Sequence, residues 1–120
     1  MNLIAGRIDL SQRVFVSNGL SVALTEDLLN RASGQNACTL GVRPEHVRVS
    51  TIQSNHWTPV TVYVTELMGS ETFVILELGS QKIIARTPGG FFVDGGRSAW
   101  ISFDMTKAHL FDSLSGERLR

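Results

Sequence analysis

The chain has 120 residues, 42% of them hydrophobic, and its eleven basic and eleven acidic side chains cancel. That length buries roughly two-thirds of the surface the unfolded chain exposes, enough for one domain, or two interleaved barrel-like halves, without staples. A net charge of zero gives no electrostatic reason to expect nucleic acid or an acidic membrane as partner, and no basic run stands out.

Taken in order, Leu3–Leu10 with Gly6 inside it reads as a strand with a bulge or bend. Arg13–Ser17 and Leu20–Leu24 flank Asn18-Gly19, a pair suited to the positive φ angles of a type I′ hairpin turn. Thr25 is placed to cap a short helix over Glu26–Ala32, with Glu26 and Asp27 in its first turn, and Ser33-Gly34-Gln35-Asn36 ends it. Ala37–Arg43 is a strand that turns at Pro44-Glu45, since proline cannot donate to a ladder and biases Arg43 to extended geometry. Cys38, the one cysteine, lies in this strand as a small packing residue; alone, it excludes an intramolecular disulfide and fits a reducing compartment.

His46–Ile52 resumes as a strand, and Ser54–Pro59 loops into the central hairpin. There Val60–Leu67 and Thr72–Leu78 meet at Met68-Gly69-Ser70-Glu71. Val60, Val62 and Val64 fall on one face of the first run, opposite Thr61, Tyr63 and Thr65. Phe73-Val74-Ile75-Leu76 is apolar on both faces, which suits a strand covered on both sides or closed into a barrel. Gln81–Thr87, Ser98–Phe103 and His109–Phe111 complete the sheet, with turns at Pro88-Gly89-Gly90 and Ser115-Gly116. About nine short strands against one short helix predict an all-β protein, a sandwich or small barrel, with no clean sequence repeat.

Catalytic signatures are missing. Gly89–Gly96 has neither the lysine nor the spacing of a phosphate-binding loop, and no GxSxG elbow occurs. His46, His56 and His109 are scattered without metal-ligand spacing. The expectation is no catalytic, cofactor or metal residue in this chain. No apolar run reaches the ~18 residues that span a bilayer, and Met1–Leu10 lacks a signal-peptide pattern. A soluble cytoplasmic chain is expected.

What remains is a set of candidate interface and structural residues. Arg43 and Glu45 flank the Pro44 turn, where they either orient the loop towards a partner or form a surface salt bridge worth ~0–1 kcal/mol. Glu66 and Glu71 flank Gly69, whose simplest role is turn geometry. Phe91 and Phe92 sit between glycine pairs; a strand there would turn one ring inward and one outward as an interface anchor, and burial of both in the core is the equal alternative. Trp57 and Trp100 are expected in core or rim packing. Phe111 is expected in the core, and Asp112 at the start of the turn towards Gly116.

As a set, Gly41-Val42-Arg43-Pro44-Glu45-His46, Glu66-Leu67-Met68-Gly69-Ser70-Glu71 and His109-Leu110-Phe111-Asp112 with Gly116 closely resemble one family. It is the C-terminal regulatory domain, the transport-associated OB (TOBE) domain, of ATP-binding subunits of bacterial ABC importers of the maltose, sn-glycerol-3-phosphate and multiple-sugar group. Met1-Asn2-Leu3 followed by Gly6-Arg7 resembles that family's junction after the nucleotide-binding domain, so the likeness runs nearly end to end. The inserted Met68 and the Val14–Asn36 region depart from the usual pattern. The resemblance implies a Greek-key-like OB-type barrel that does no chemistry itself, with ATP and Mg held by a preceding domain. It also implies pairing of two such domains as a tether for the ATPase subunits, contact through them with membrane subunits, a docking surface for a regulatory protein, and a place on the inner face of the cell membrane. Related barrels in molybdate and tungstate transporters bind oxyanions, so a small-ligand sensor of oxyanions or sugars is the alternative, ahead of an oligonucleotide-binding OB module.

Overall fold

A computed structural model describes residues 1–32 and 34–119. It contains ten strands and one α-helix: β1 Asn2–Asp9, β2 Val14–Ser17, β3 Leu20–Ala23, α1 Glu26–Ala32, β4 Ala37–Val42, β5 Val47–Ser50, β6 Thr58–Met68, β7 Glu71–Leu78, β8 Gln81–Pro88, β9 Ser98–Phe103 and β10 His109–Asp112. A 3₁₀ turn over Pro44–His46 separates β4 from β5.

The strands form two five-stranded sheets, ordered β10-β4-β1-β2-β3 and β5-β9-β6-β7-β8, with antiparallel neighbours throughout. In each, three strands meander and the fourth returns beside the first, giving β4-β1-β2-β3 and β9-β6-β7-β8, the Greek-key order. The fifth strand of each sheet comes from the other half. β5 follows β4 but pairs with β9, and β10 follows β9 but pairs with β4. The second half thus repeats the topology of the first without a visible repeat in the sequence. The expected all-β, OB-type fold stands, with ten strands rather than about nine.

Local chemistry explains most of the elements. Asn18 and Gly19 take φ of 39° and 85°, as the type I′ turn requires. The Thr25 hydroxyl accepts from the Leu28 amide at 3.2 Å, capping α1, and Glu26 at the helix start pairs with Arg13. Leu28 and Ala32 bury one face of α1 under the first half. The expected helix stop begins at Ser33, which lies outside the described residues; Gly34 follows at φ 86°. In the second half the connection after β8 takes the helix's place. Its Val93 is buried and Phe91 packs against the core.

Cys38 is fully buried, and burial pushes its thiol up to about 11, leaving it inert at neutral pH.

Two expectations about facing residues are corrected. Val62 pairs with Leu76 but Val64 pairs with Ile75, so Tyr63 is an extra, bulged residue. Beyond it Val64 shares the outward face with Ile75, and the predicted Val60-Val62-Val64 face ends at Val62. On β7 only Thr72, Val74, Leu76 and Leu78 are fully buried; Phe73 and Ile75 are partly exposed, so the strand is not covered on both sides.

Besides the exchanged strands, hydrogen bonds among the described residues join the halves at three places. The Asp104 amide donates to the His46 carbonyl at 2.9 Å where the two crossing connections run side by side. The buried Asn2 side chain donates from Nδ2 to the Ile84 carbonyl and accepts from the Ile84 amide, both at 2.8 Å. Gln81 Nε2 donates to the Leu3 carbonyl at 2.5 Å.

Asn2 therefore acts as one more residue of strand along the outer edge of β8. Asn2→Ala strands two backbone groups at once, and urea denaturation is expected to show a loss of about 1–3 kcal/mol; an unchanged midpoint would show that water replaces the amide at no cost.

Asp9, Asp104 and Asp112 each accept from backbone or hydroxyl donors two or three residues ahead. For Asp9 and Asp104 a hydroxyl donor leads, and for Asp112 the Ser115 and Leu114 amides lead, in holding the carboxyl below its ordinary 3.8. A lowered folded-state pKa contributes stability above the ordinary value that is lost as pH falls through the lowered one. Denaturation midpoints should therefore drop below about pH 4, and Asp112→Asn, which keeps an oxygen acceptor but does not titrate there, should make that drop smaller.

Candidate functional site

The bulge at Tyr63 decides what the second half shows to solvent. The Val62 amide donates to the Arg97 carbonyl at 2.8 Å, and the Gly96 amide to the Val62 carbonyl at 2.7 Å. A Cβ on Gly95 would sit 2.7 Å from the Tyr63 carbonyl oxygen, so glycine lets this connection press against the bulge. Past the bulge, Val64, Glu66 and Met68 turn outward opposite Ile75, Phe73 and Glu71. On β8, Ile84 lies beside Ile75 and Arg86 beside Phe73, on the same outward face.

This face is an apolar ridge with a charged border. Tyr63 is 54%, Met68 58% and Ile84 39% exposed, while Val64, Phe73 and Ile75 are half-buried between them. Lys82 Nζ lies 4.5 Å above the Tyr63 ring centroid. Arg86 Nη1 stands 3.8 Å from Glu71 Oε1. The Glu45 carboxyl is held below its ordinary value first by its own backbone amide, then by Arg86, His46 and Arg43. Arg86, which no sequence motif marks, thus stands beside Glu71 and acts on Glu45 from beyond ion-pair distance.

Of the predicted interface residues, Glu66 and Glu71 share this face, and Glu45 adjoins it through Arg86. Arg43 and Glu45 form no ion pair within 4 Å among the described residues; Arg43 is extended ahead of Pro44, which starts the 3₁₀ turn. Of the two readings of that pair, the surface salt bridge between Arg43 and Glu45 is therefore not what forms. Gly69 takes φ 68° as the first central residue of the β6–β7 turn, where Ser70 stays at negative φ, the sign pattern of a type II′ turn. Phe91 packs inward and Phe92 is 58% exposed. Thr65 Oγ1 donates to the Val93 carbonyl at 2.7 Å, which brings Phe92 to the Glu66–Leu67 end of β6.

The remaining motif lies on the first half. Phe111 is half-buried, not core. Leu110 takes the buried position on β10, and Phe111 turns to the outer face, where its ring and the Met1 sulfur lie so close to Gly41 that a Cβ there would meet them at 2.6 and 2.7 Å. Asp112 does start the turn to Gly116. Its Oδ1 accepts from the Leu114 and Ser115 amides, both at 2.9 Å, and the Gly116 amide donates to its carbonyl, with Gly116 at φ 76°. Trp57 and Trp100 are both half-buried, at the rim rather than in the core.

Chemically, such a face offers burial and ion pairing. Among the described residues no three His, Cys, Asp or Glu come together to hold a metal ion, and no helix is long and apolar enough to cross a membrane.

Comparison with known proteins places these features. Over its full length the chain is similar to sn-glycerol-3-phosphate import ATP-binding proteins UgpC: 32% identical over 120 residues in Salmonella typhimurium, 33% over 120 in Pectobacterium atrosepticum and 29% over 119 in Escherichia coli O157:H7. In each case 99% of this chain is covered but 33% of the relative, so the chain spans about a third of the proteins it matches. The TOBE domain model matches residues 40–111, which run from β4 through the whole of the second half to β10 and take in both crossing connections. By that match, the chain belongs to the TOBE domain family.

Proposed function

We propose that this chain is the C-terminal domain of the ATP-binding subunit of an ABC importer for carbohydrate or glycerol-phosphate solutes, and that it tethers two such subunits through its outward apolar face. The ridge of Tyr63, Val64, Met68, Phe73, Ile75 and Ile84 is the observation that carries the reading. Contiguous exposed apolar surface with a charged border is the composition of a protein interface. The import function named in the relatives, and the third of their length covered by this chain, support the assignment to one domain of a longer subunit. In this reading ATP and Mg are held by the remaining two-thirds, membrane subunits are reached through it, and the complex lies on the cytoplasmic side. Two linked domains keep the ATPase units at high effective concentration while they open and close. Glu45, Glu66, Glu71 and Arg86 set the register of the contact, and the exposed Phe92 belongs to a docking surface for a regulator.

Light scattering of this chain over a range of concentrations tests the tether. A concentration-dependent dimer is expected, weakened about tenfold or more by Ile84→Lys and unaffected by Leu114→Glu, which alters an apolar side chain 97% exposed away from the ridge. A monomer at every concentration, or equal sensitivity to both substitutions, would remove the ridge from the contact.

A further inference from the structure

The outermost strand of a sheet leaves a row of backbone donors and acceptors unpaired, and this chain covers three of its four sheet edges itself. Asn2 occupies the outer edge of β8, and β5 lies against β8. The segment after the Gly116 turn covers β10: the Leu119 amide donates to the Leu110 carbonyl at 2.8 Å, and the Asp112 amide to the Glu117 carbonyl at 2.7 Å. The fourth edge, β3, is bare. Among the described residues it pairs with β2 alone. Leu20-Ser21-Val22-Ala23 also carries none of the charges, prolines or bulges that blunt a free edge.

Which groups β3 offers follows from the ladder. The Leu24 amide donates to the Arg13 carbonyl at 3.0 Å, one step beyond the Val14–Ala23 pair. Antiparallel pairs alternate between bonded and non-bonded, so Phe15–Val22 and Ser17–Leu20 are bonded, and Val14–Ala23 and Val16–Ser21 are not. The two-residue Asn18-Gly19 turn demands the same phase, because it closes on a bonded Ser17–Leu20 pair. The amides and carbonyls of Ser21 and Ala23 therefore point away from β2, and both residues are exposed. They border a cavity of about 410 Å³ between the halves. Val14, Leu20 and Val22 line it from the first half and Ile101, Phe103 and Met105 from the second, with no Asp, Glu, Lys or Arg in the lining. The Ser102 hydroxyl of β9 is buried without a hydrogen-bond partner, and its residue lines the same cavity. A neutral polar group entering from outside would satisfy it.

We propose that β3 accepts an extended, uncharged peptide segment of a partner protein as an added strand, with alternate side chains of that segment seated in the cavity. The partner's backbone pairs with Ser21 and Ala23, and the cavity selects apolar side chains together with a hydroxyl or amide for Ser102. A charged side chain would lose its water there and meet no counter-ion. A second copy of this chain fits the edge poorly. Two four-residue strands meeting edge to edge, about 14 Å long, cover far less than the roughly 800 Å² per partner of a stable interface. β3 takes no part in the apolar ridge, so the strand site stands or falls separately from the tether.

A capped pentapeptide of alternating valine and threonine, titrated into the ¹⁵N-labelled chain and followed by NMR, tests this. Before addition, the Ser21 and Ala23 amides should exchange with solvent faster than those of Leu20 and Val22, which the ladder protects. With peptide, saturable shifts are expected at Ser21, Ala23 and Ser102, and exchange at Ser21 and Ala23 should slow about tenfold or more. The same peptide N-methylated throughout keeps its side chains but loses its backbone donors, and should bind about tenfold more weakly or not at all. A lysine–threonine peptide of the same length should not bind. Ala23→Pro removes one outward amide and no ladder bond and should cost a similar factor; if that variant fails to fold, the N-methylated peptide makes the same test on the unaltered chain. Leu114→Glu, after β10 at the opposite edge of the sheet, should leave binding unchanged. No saturation, equal binding of the N-methylated or lysine peptide, or shifts at Ser102 with Ser21 and Ala23 still exchanging freely would overturn the proposal. Protection of those two amides by self-association in the absence of peptide would overturn it as well.

Discussion

Everything in this fold depends on the reciprocal exchange of β5 and β10. Each half has a four-stranded Greek key and lacks its edge strand, which the other half supplies. The exchange brings two connections through the same narrow place, where the Asp104 amide is bonded to the His46 carbonyl. The sequence on one connection is suited to that crossing. Arg43 is extended because a proline follows, Pro44 begins the 3₁₀ turn with its missing amide, and the His46 amide closes the turn on the Arg43 carbonyl at 2.9 Å. Val47 and Leu110 then carry each exchanged strand into the opposite core. Neither half has its full sheet without the other, and the buried apolar residues of both belong to one core.

A second constraint, the Tyr63 bulge, turns that body into something with a surface to offer. Side chains alternate along a strand, so one inserted residue inverts every later position. Without the bulge, Glu66 would point into the barrel and Leu67 outward. With it, Glu66 and Met68 join Phe73, Glu71 and Arg86 on one face, and Thr65 turns in to hold the Val93 carbonyl. The glycine-rich connection that carries the phenylalanines is the counterpart of this irregularity. Gly95 and Gly96 let its backbone seat against the bulged residue, and Phe91 and Val93 cover the barrel as α1 covers its twin.

What was legible in the sequence follows the range of the interactions involved. Asn18-Gly19, the Thr25 cap, the Pro44 turn, the Gly69 hairpin and the Asp112 turn are set by residues within a few positions of one another, and each forms as its local chemistry requires. Ala37–Arg43 and Gln81–Thr87 were visible as strands, but nothing local distinguishes a strand that stays in its own sheet from one that crosses. Alternation likewise misassigned Val64, because the bulge is stabilised by residues some thirty positions downstream. Phe111 looked like a core residue from its size. Gly41 is what places it outside, by leaving room for an aromatic ring over a strand. Arg86 carried no motif and acquires its role only when β8 lies beside β7.

The same argument from range applies to the charges of a chain whose net charge is zero. Its carboxylates are largely tied up where they arise. Asp9, Asp104 and Asp112 accept from amides and hydroxyls of their own turns, and Glu71 stands by Arg86 on the neighbouring strand. The arginines find their carboxylates over longer spans: Arg31 reaches Asp27 one helical turn away, Arg13 pairs with Glu26 beyond β3, and Arg86 stands by Glu71 on the neighbouring strand. Bulk composition therefore does not show where the charges lie, because each acid and base is placed by the distance over which it finds its partner.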